Sequence, residues 1–262
     1  MVRLTVLGSG SCVPNFRRSA AAYHLSGPRG SFFVDLGAGA LRRATESGIP
    51  WAEADAVLLS HFHMDHFADL LPYLFALKNT PGLQRGRELV LAGPVGLRSL
   101  LTGLAELLGG WVLRPGVALE VLEMESGSLT LPGCRIEAAR VQHSRGALGF
   151  RFEMEGVTIS YSGDTGPCEE VIRLCQGAQV AILECAAIDE PMPSHLTPEE
   201  AGEIARQAGV ELLLLSHFYP SARPADVLAR CRRAYAGTVL IAEDLLQLAL
   251  PSAKENHPPE KR

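Results

Sequence analysis

Apolar and polar positions alternate in short runs at the start of the chain, over 4–7, 20–25 and 32–35. Clusters of Gly, Pro and Ser divide these runs, so the pattern predicts strands joined by turns. The period then lengthens. A helix is predicted over 40–47, a strand over 56–59, a helix over 67–77, a strand over 89–92 and a helix over 96–108. The second half repeats this grammar, with strands over 118–122, 135–142, 149–154 and 158–162. A helix over 169–175 and a strand over 180–184 follow. Next come a helix over 198–207, a strand over 212–216, a helix over 225–234 and a last strand over 239–242. Thr197 and Glu200 form a capping box at the start of the 198–207 helix. Strands grouped in both halves, with helices interleaved, predict an α/β protein of two facing sheets with helices outside. No linker or repeated sequence divides the chain, so one domain over 1–250 is expected, with 251–262 as a polar, proline-rich tail carrying His257.

Directly after the 56–59 strand comes His61-Phe62-His63-Met64-Asp65-His66. Three imidazoles and a carboxylate lie within six residues, on a predicted strand–loop–helix turn. A lone His on a loop is more often solvated than a ligand. Such a cluster at a strand's carboxyl end can instead aim every donor at one spot. Nitrogen and oxygen donors suit zinc and related divalent ions. An ion held there makes hydroxide from water near neutral pH, which predicts a metal-dependent hydrolase.

Composition narrows this only slightly. The 262 residues are 47% hydrophobic and 20% charged, which is enough for a sizeable core. A formal net charge of −5 argues against a dedicated nucleic-acid surface. Six scattered cysteines without a C-x-x-C pair predict reduced, buried thiols in a cytoplasmic protein. The first residues lack a signal-peptide pattern, and no run of about 18 apolar residues predicts a membrane span. Gly8-Ser9-Gly10 lacks the third glycine and following helix of a dinucleotide loop, so a tight turn near the active edge is expected. Tyr73 and Phe75 read as core helix residues, and the Leu-rich stretch 100–111 could support a homodimer face.

Other donors also follow predicted strands. His143 follows 135–142, Asp164 follows 158–161 and His217 follows 212–215. Strand ends on one edge of a layered fold can converge. Two ions need about eight ligand positions, some filled by water. His61, His63 and His143 would hold one ion, and Asp65, His66 and His217 the second. Asp164 would bridge both through its two oxygens.

In order and spacing, His61-x-His63-x-Asp65-His66, His143, Asp164 and His217 resemble the metallo-β-lactamase superfamily. The turns Gly8-Ser9-Gly10-Ser11-Cys12-Val13-Pro14 and Asp35-Leu36-Gly37-Ala38-Gly39 are also similar to it. The resemblance implies an αββα four-layer sandwich with a two-metal site at one sheet edge. Zn2+ is the expected ion, and Mn2+ and Fe2+ also suit the donors. Within the superfamily, Ser162-Gly163-Asp164-Thr165-Gly166-Pro167-Cys168 and Ser194-His195-Leu196-Thr197-Pro198-Glu199-Glu200-Ala201-Gly202 resemble the ribonuclease Z branch of phosphodiesterases. That branch implies a catalytic role for His195, which would touch the phosphate or protonate the leaving oxygen. Asp65 or the bridging hydroxide would handle the attack, and Glu184 would keep the carboxylate that orients His195.

The chain departs from that branch in two places. The tRNA-processing members carry a long arm near the position between His143 and Asp164, but here Asp164 follows His143 by 21 residues. Leu183-Glu184-Cys185-Ala186-Ala187 stands where the branch has a His-Glu-Ala-Thr run. A small or cyclic phosphodiester is therefore the expected substrate, ahead of tRNA. A thioester, lactone or sulfate-ester hydrolase using the same ions is the competing class. A diiron flavoprotein partner would add a flavodoxin-like domain, for which no pattern is present, and a metal-sensing role leaves Asp65 and His195 unexplained.

Overall fold

The computed structural model describes residues 1–251, apart from Asp189 and Pro191. Residues 252–262 of the predicted tail, His257 among them, lie outside the described residues. The first sheet is built from β1 (Val2–Gly8), β2 (Ala22–Gly27), β3 (Gly30–Leu36), β4 (Ala56–Leu58), β5 (Leu89–Pro94) and β6 (Leu119–Met124). The second holds β7 (Gly127–Leu131), β8 (Cys134–Arg140), β9 (Leu148–Met154), β10 (Val157–Tyr161), β11 (Val180–Glu184), β12 (Leu212–Ser216) and β13 (Thr238–Ile241). The chain then returns to the first sheet as β14 (Gln247–Leu250) beside β1. The orders are β14-β1-β2-β3-β4-β5-β6 and β13-β12-β11-β10-β9-β8-β7.

Each sheet is antiparallel on one side and parallel on the other. Pairing is parallel from β3 to β6 and from β10 to β13. Parallel neighbours need crossover connections, and helices supply several of them. Helices α1 (Ala40–Glu46), α2 (Met64–Phe67), α3 (Leu70–Asn79) and α4 (Leu97–Leu108) belong to the first half. Helices α5 (Glu169–Cys175), α6 (Pro198–Ala208) and α7 (Pro224–Cys231) belong to the second.

Alternation along the strands sorts the side chains into three apolar layers. Leu4, Val6, Tyr23, Phe32 and Leu58 face Ile136, Phe150, Phe152 and Ile182 in a core between the two sheets. The opposite face of the first sheet, with Leu7, Phe33 and Leu91, packs against Ala44, Leu74 and Leu101 of its helices. Leu183, Leu213 and Leu215 do the same against Val171, Ile204 and Val227. The result is the expected αββα sandwich.

Several details differ from the sequence pattern. The helix expected over 67–77 is two helices. Asp69 interrupts it: its Oδ2 accepts the Gly39 and Leu41 amides, while its own amide donates to the Leu36 carbonyl. Strand β7 is additional: its run is only five residues long and mostly exposed, although Leu129 and Leu131 alternate with Ser128 and Thr130. Strand β14 is also additional, a four-residue run in which Leu248 and Leu250 alternate with more exposed neighbours, so 239–242 is not the last strand. Phe75 is half-exposed against Trp111 rather than core, whereas Tyr73 is fully buried. No disulfide links the cysteines, and Cys12 is exposed rather than buried. No helix among the described residues is long and apolar enough to cross a membrane.

Phe150 lies wholly inside the inter-sheet core. Phe150→Ala is expected to lower the unfolding free energy by about 3–5 kcal/mol, read from the denaturant midpoint. A loss under about 1 kcal/mol would contradict a closed core at that position.

Candidate metal centre

The parallel strands end on one edge, and the polar turns that follow them meet there. The segment after β4 supplies His61, His63, Asp65 and His66. The turn after β8 supplies His143, that after β10 Asp164, and that after β12 His217. All seven residues singled out in the sequence converge. Donor atoms of His61, His63, His143 and Asp164 lie within 4.8 Å of one another, as do those of Asp65, His66 and His217.

Hydrogen bonds on the far side of the rings show which way the nitrogens face. Ser60 Oγ donates to Asp35 at 2.7 Å, so it accepts from His61 Nδ1 at 3.0 Å. His66 Nδ1 donates to Asp35 at 2.7 Å, and His143 Nδ1 donates to the Ser194 carbonyl at 3.1 Å. With each proton held on Nδ1, the three Nε2 lone pairs face inward.

Those inward nitrogens crowd one another. His143 Nε2 is 3.0 Å from His63 Nδ1, and His66 Nε2 is 3.2 Å from His217 Nε2. Two imidazoles on a tetrahedral ion at 2.0–2.1 Å place their nitrogens about 3.3 Å apart. His61 Nε2 and Asp164 Oδ1 are buried without any hydrogen-bond partner. Converging lone pairs and orphaned donors of this kind are what a bound cation satisfies, so the residues fit divalent metal.

Asp164 lies between the two groups. Its Oδ2 is 3.7 Å from His61 Nε2 and 3.8 Å from His143 Nε2. Its Oδ1 is 3.3 Å from His66 Nε2 and 3.5 Å from His217 Nε2. Burial works against its charged form, but His217 and His66 outweigh that and hold its carboxyl well below the usual range. Burial and the neighbouring His66 push His61 the other way, toward the neutral form a metal ligand needs.

His195 and Glu184 are also here. Glu184 ends β11 and is buried, and its Oε1 accepts from His195 Nδ1 at 2.7 Å. Its carboxylate also accepts the Thr165 and Ala186 amides, at 3.0 Å and 2.9 Å. The His195 ring lies 4.9 Å from that of His143 and stacks over His217 at 6.1 Å. Burial opposes the imidazolium, yet the Glu184 hydrogen bond and charge leave His195 above its ordinary pKa.

Sequence reasoning missed Asp35 as a functional residue and took it only as the end of a strand and the start of a turn. Its buried carboxylate accepts from the Ser60 amide and hydroxyl, Tyr161 Oη and His66 Nδ1, each at 2.7 Å. Its φ of 56° is left-handed, a conformation Asp tolerates better than most residues. An Asp at a strand end, ahead of a His-rich motif, is the only signal it carries in the sequence.

Known proteins resemble this chain over most of its length. Residues 33–218 match the family described as the Beta-lactamase superfamily domain. The chain belongs to that superfamily, and its class is the metal-dependent hydrolases. It is 30% identical to Ribonuclease Z of Mycobacterium sp. (strain KMS), over 94% of this chain and 95% of that one. Its fold is similar to that of the metallo-β-lactamase fold protein YhfI from Bacillus subtilis, with a TM-score of 0.81 at 23% identity, covering 94% of this chain and 98% of that one. It is also similar to a diphosphatase of the PhnP family, with a TM-score of 0.77 at 17% identity, covering 96% and 99%.

Asp35→Asn keeps the side-chain shape and the left-handed backbone but removes the charge that orients His66. Metal affinity is expected to fall about 10–100-fold, measured by competition with a chromogenic chelator. Unchanged affinity would show that His66 is held without the carboxylate.

Proposed function

We propose that the protein is a dinuclear metal-dependent phosphodiesterase acting on a small or cyclic phosphodiester. His61, His63 and His143 would hold one ion and Asp65, His66 and His217 the other, with Asp164 spanning both. Zn2+ suits these donors best, and Mn2+ or Fe2+ also fit. When bound, the ions supply an acidified water and stabilise charge on the phosphoryl oxygens.

The observation that carries this reading is the Glu184–His195 pair, an oriented imidazole beside the donor cluster. Water oxygen forms the new bond to phosphorus as the bond to the leaving oxygen breaks. With Nδ1 held by Glu184, His195 has Nε2 free to donate a proton to that leaving oxygen or to brace a phosphoryl oxygen. Asp65, whose Oδ2 lies 3.2 Å from His217 Nε2, would orient the attacking water. A thioester, whose thiolate leaves without a proton, has less need of this imidazole.

The name of the ribonuclease Z relatives supports phosphodiester chemistry and also favours tRNA 3′ processing as a second reading. Against tRNA stands the segment between His143 and Asp164, which the β9–β10 hairpin fills with no room for an arm. The net charge of −5 points the same way. Residues 1–250 are read as one hydrolase domain because the first strand pairs with the last. Six unpaired thiols are consistent with a cytoplasmic setting.

His195→Ala is expected to retain its metal, measured by elemental analysis, and to lose about 10²–10⁴-fold in kcat on a 2′,3′-cyclic nucleotide. The loss on bis-p-nitrophenyl phosphate should be smaller, because p-nitrophenolate leaves without a proton. Unchanged turnover on both would remove His195 from the reaction. Asp164→Ala is expected to lose metal and activity together, and two ions per chain in that variant would sink the spanning role. Thioester turnover with silence on both diesters would favour the carboxyl-hydrolase class.

A further inference from the structure

A cavity of about 370 Å³ opens beside Asp65, walled by the loop between β1 and β2 and by the start of α1. Its rim carries Phe16, which is fully exposed, with Met64 and Val13 exposed nearby. Large apolar side chains left in water on a polar rim mark a contact surface. Arg42 adds a positive charge to the same cavity, its guanidinium mostly exposed and only 3.6 Å from Glu46.

The loop is held at its stem. Asp244 accepts from the Ser9 amide and hydroxyl through Oδ1 and from the Ser19 amide through Oδ2. The Gly10 amide donates to the Ser19 carbonyl, and Arg18 donates to Ser9 Oγ and the Ala242 carbonyl. A Cβ on Gly8 would fall 1.7 Å from the Ala20 carbonyl oxygen, so only glycine lets the two ends close. The pinned stem presents the Phe16 tip without a large ordering cost. An independent observation lies deeper in the same cavity. Ser11 is 5% exposed, and its Oγ has no hydrogen-bond partner. A buried hydroxyl without a partner is costly unless a ligand or water completes it.

We infer that this cavity is a nucleoside subsite: Phe16 and Met64 stack the base of a nucleotide phosphodiester, and the Ser11 hydroxyl meets its sugar–phosphate oxygens. The inference rests on the phosphodiesterase reading and narrows its substrate class. Three features favour a nucleotide. The cavity shares Asp65 with the donor cluster, so its occupant is continuous with the reacting phosphorus. An exposed aromatic face suits any flat base without demanding a sequence. The polar and positive remainder suits sugar hydroxyls and phosphate, which a purely apolar ester would leave unpaired.

The test uses the metal-loaded full chain with two probes, AMP and ribose 5-phosphate, titrated by calorimetry. AMP is expected to bind about tenfold tighter than ribose 5-phosphate, since stacking contributes about 1–3 kcal/mol. Phe16→Ala should erase that difference by weakening AMP alone, with KM for a 2′,3′-cyclic nucleotide rising about tenfold and kcat little changed. Phe16→Trp should restore AMP binding and report it by fluorescence quenching. Ser11→Ala should weaken both probes alike, by about three- to tenfold. Equal affinity for the two probes, or AMP binding untouched in Phe16→Ala, would overturn the subsite while diester turnover kept the phosphodiesterase reading. A Phe16→Ala protein that sediments as a smaller species with unchanged AMP affinity would also overturn it and assign Phe16 to contact between copies. Failure to turn over any diester, together with no binding of either probe, would overturn both readings.

Discussion

One buried carboxylate ties the two sheets to the site. Asp35 sits at the end of β3 with no exposure to water, and a charge in that position must be fully partnered or it costs several kcal/mol. Its four hydrogen bonds come from Ser60 after β4, Tyr161 on β10 and His66 at the metal centre. The first sheet, the second sheet and the donor cluster therefore share one acceptor. The orientation of His61 also depends on it, through Ser60 Oγ. Where the Asp35 carboxylate goes, the imidazoles follow.

Glu184 plays the same part on the other side of the cluster. It ends β11, is buried, and uses its oxygens on two amides and on His195 Nδ1. Both carboxylates stand at the carboxyl ends of strands, and both fix a tautomer by occupying the nitrogen that faces away from the site. The site is thus organised from behind. The parallel halves of the sheets bring loops to one edge, and acidic residues at those strand ends then aim the rings inward. Phosphodiester chemistry suits this arrangement, because it needs positioned positive charge and one proton donor rather than a covalent nucleophile.

Much of this was legible in the sequence because the signals were local. The His61–His66 cluster is six residues long, and its strand–loop–helix setting follows from the apolar run before it. His143, Asp164 and His217 could be chosen because each follows an apolar β-run. The capping box at Thr197 formed as its spacing implied. The failures were non-local. The break at Asp69 arises because its side chain is needed by Gly39 and Leu41, about thirty residues earlier in the chain. Strands β7 and β14 lie at sheet edges and run for only five and four residues, so their alternation is too brief to stand out from the turns beside them. Phe75 has the composition of a core residue, but its place on α3 turns it outward against Trp111.

The sequence by itself determined the α/β class and pointed to a cluster of nitrogen and oxygen donors, since ligand chemistry and strand periodicity are properties of short segments. Only the tertiary structure decided how far Asp164 stands from each group of donors, that Asp35 orients His66, and that the Phe16 loop opens onto Asp65. Each of those facts joins residues that are distant in the chain, and the distance between them is set by how two sheets pack and not by any local preference.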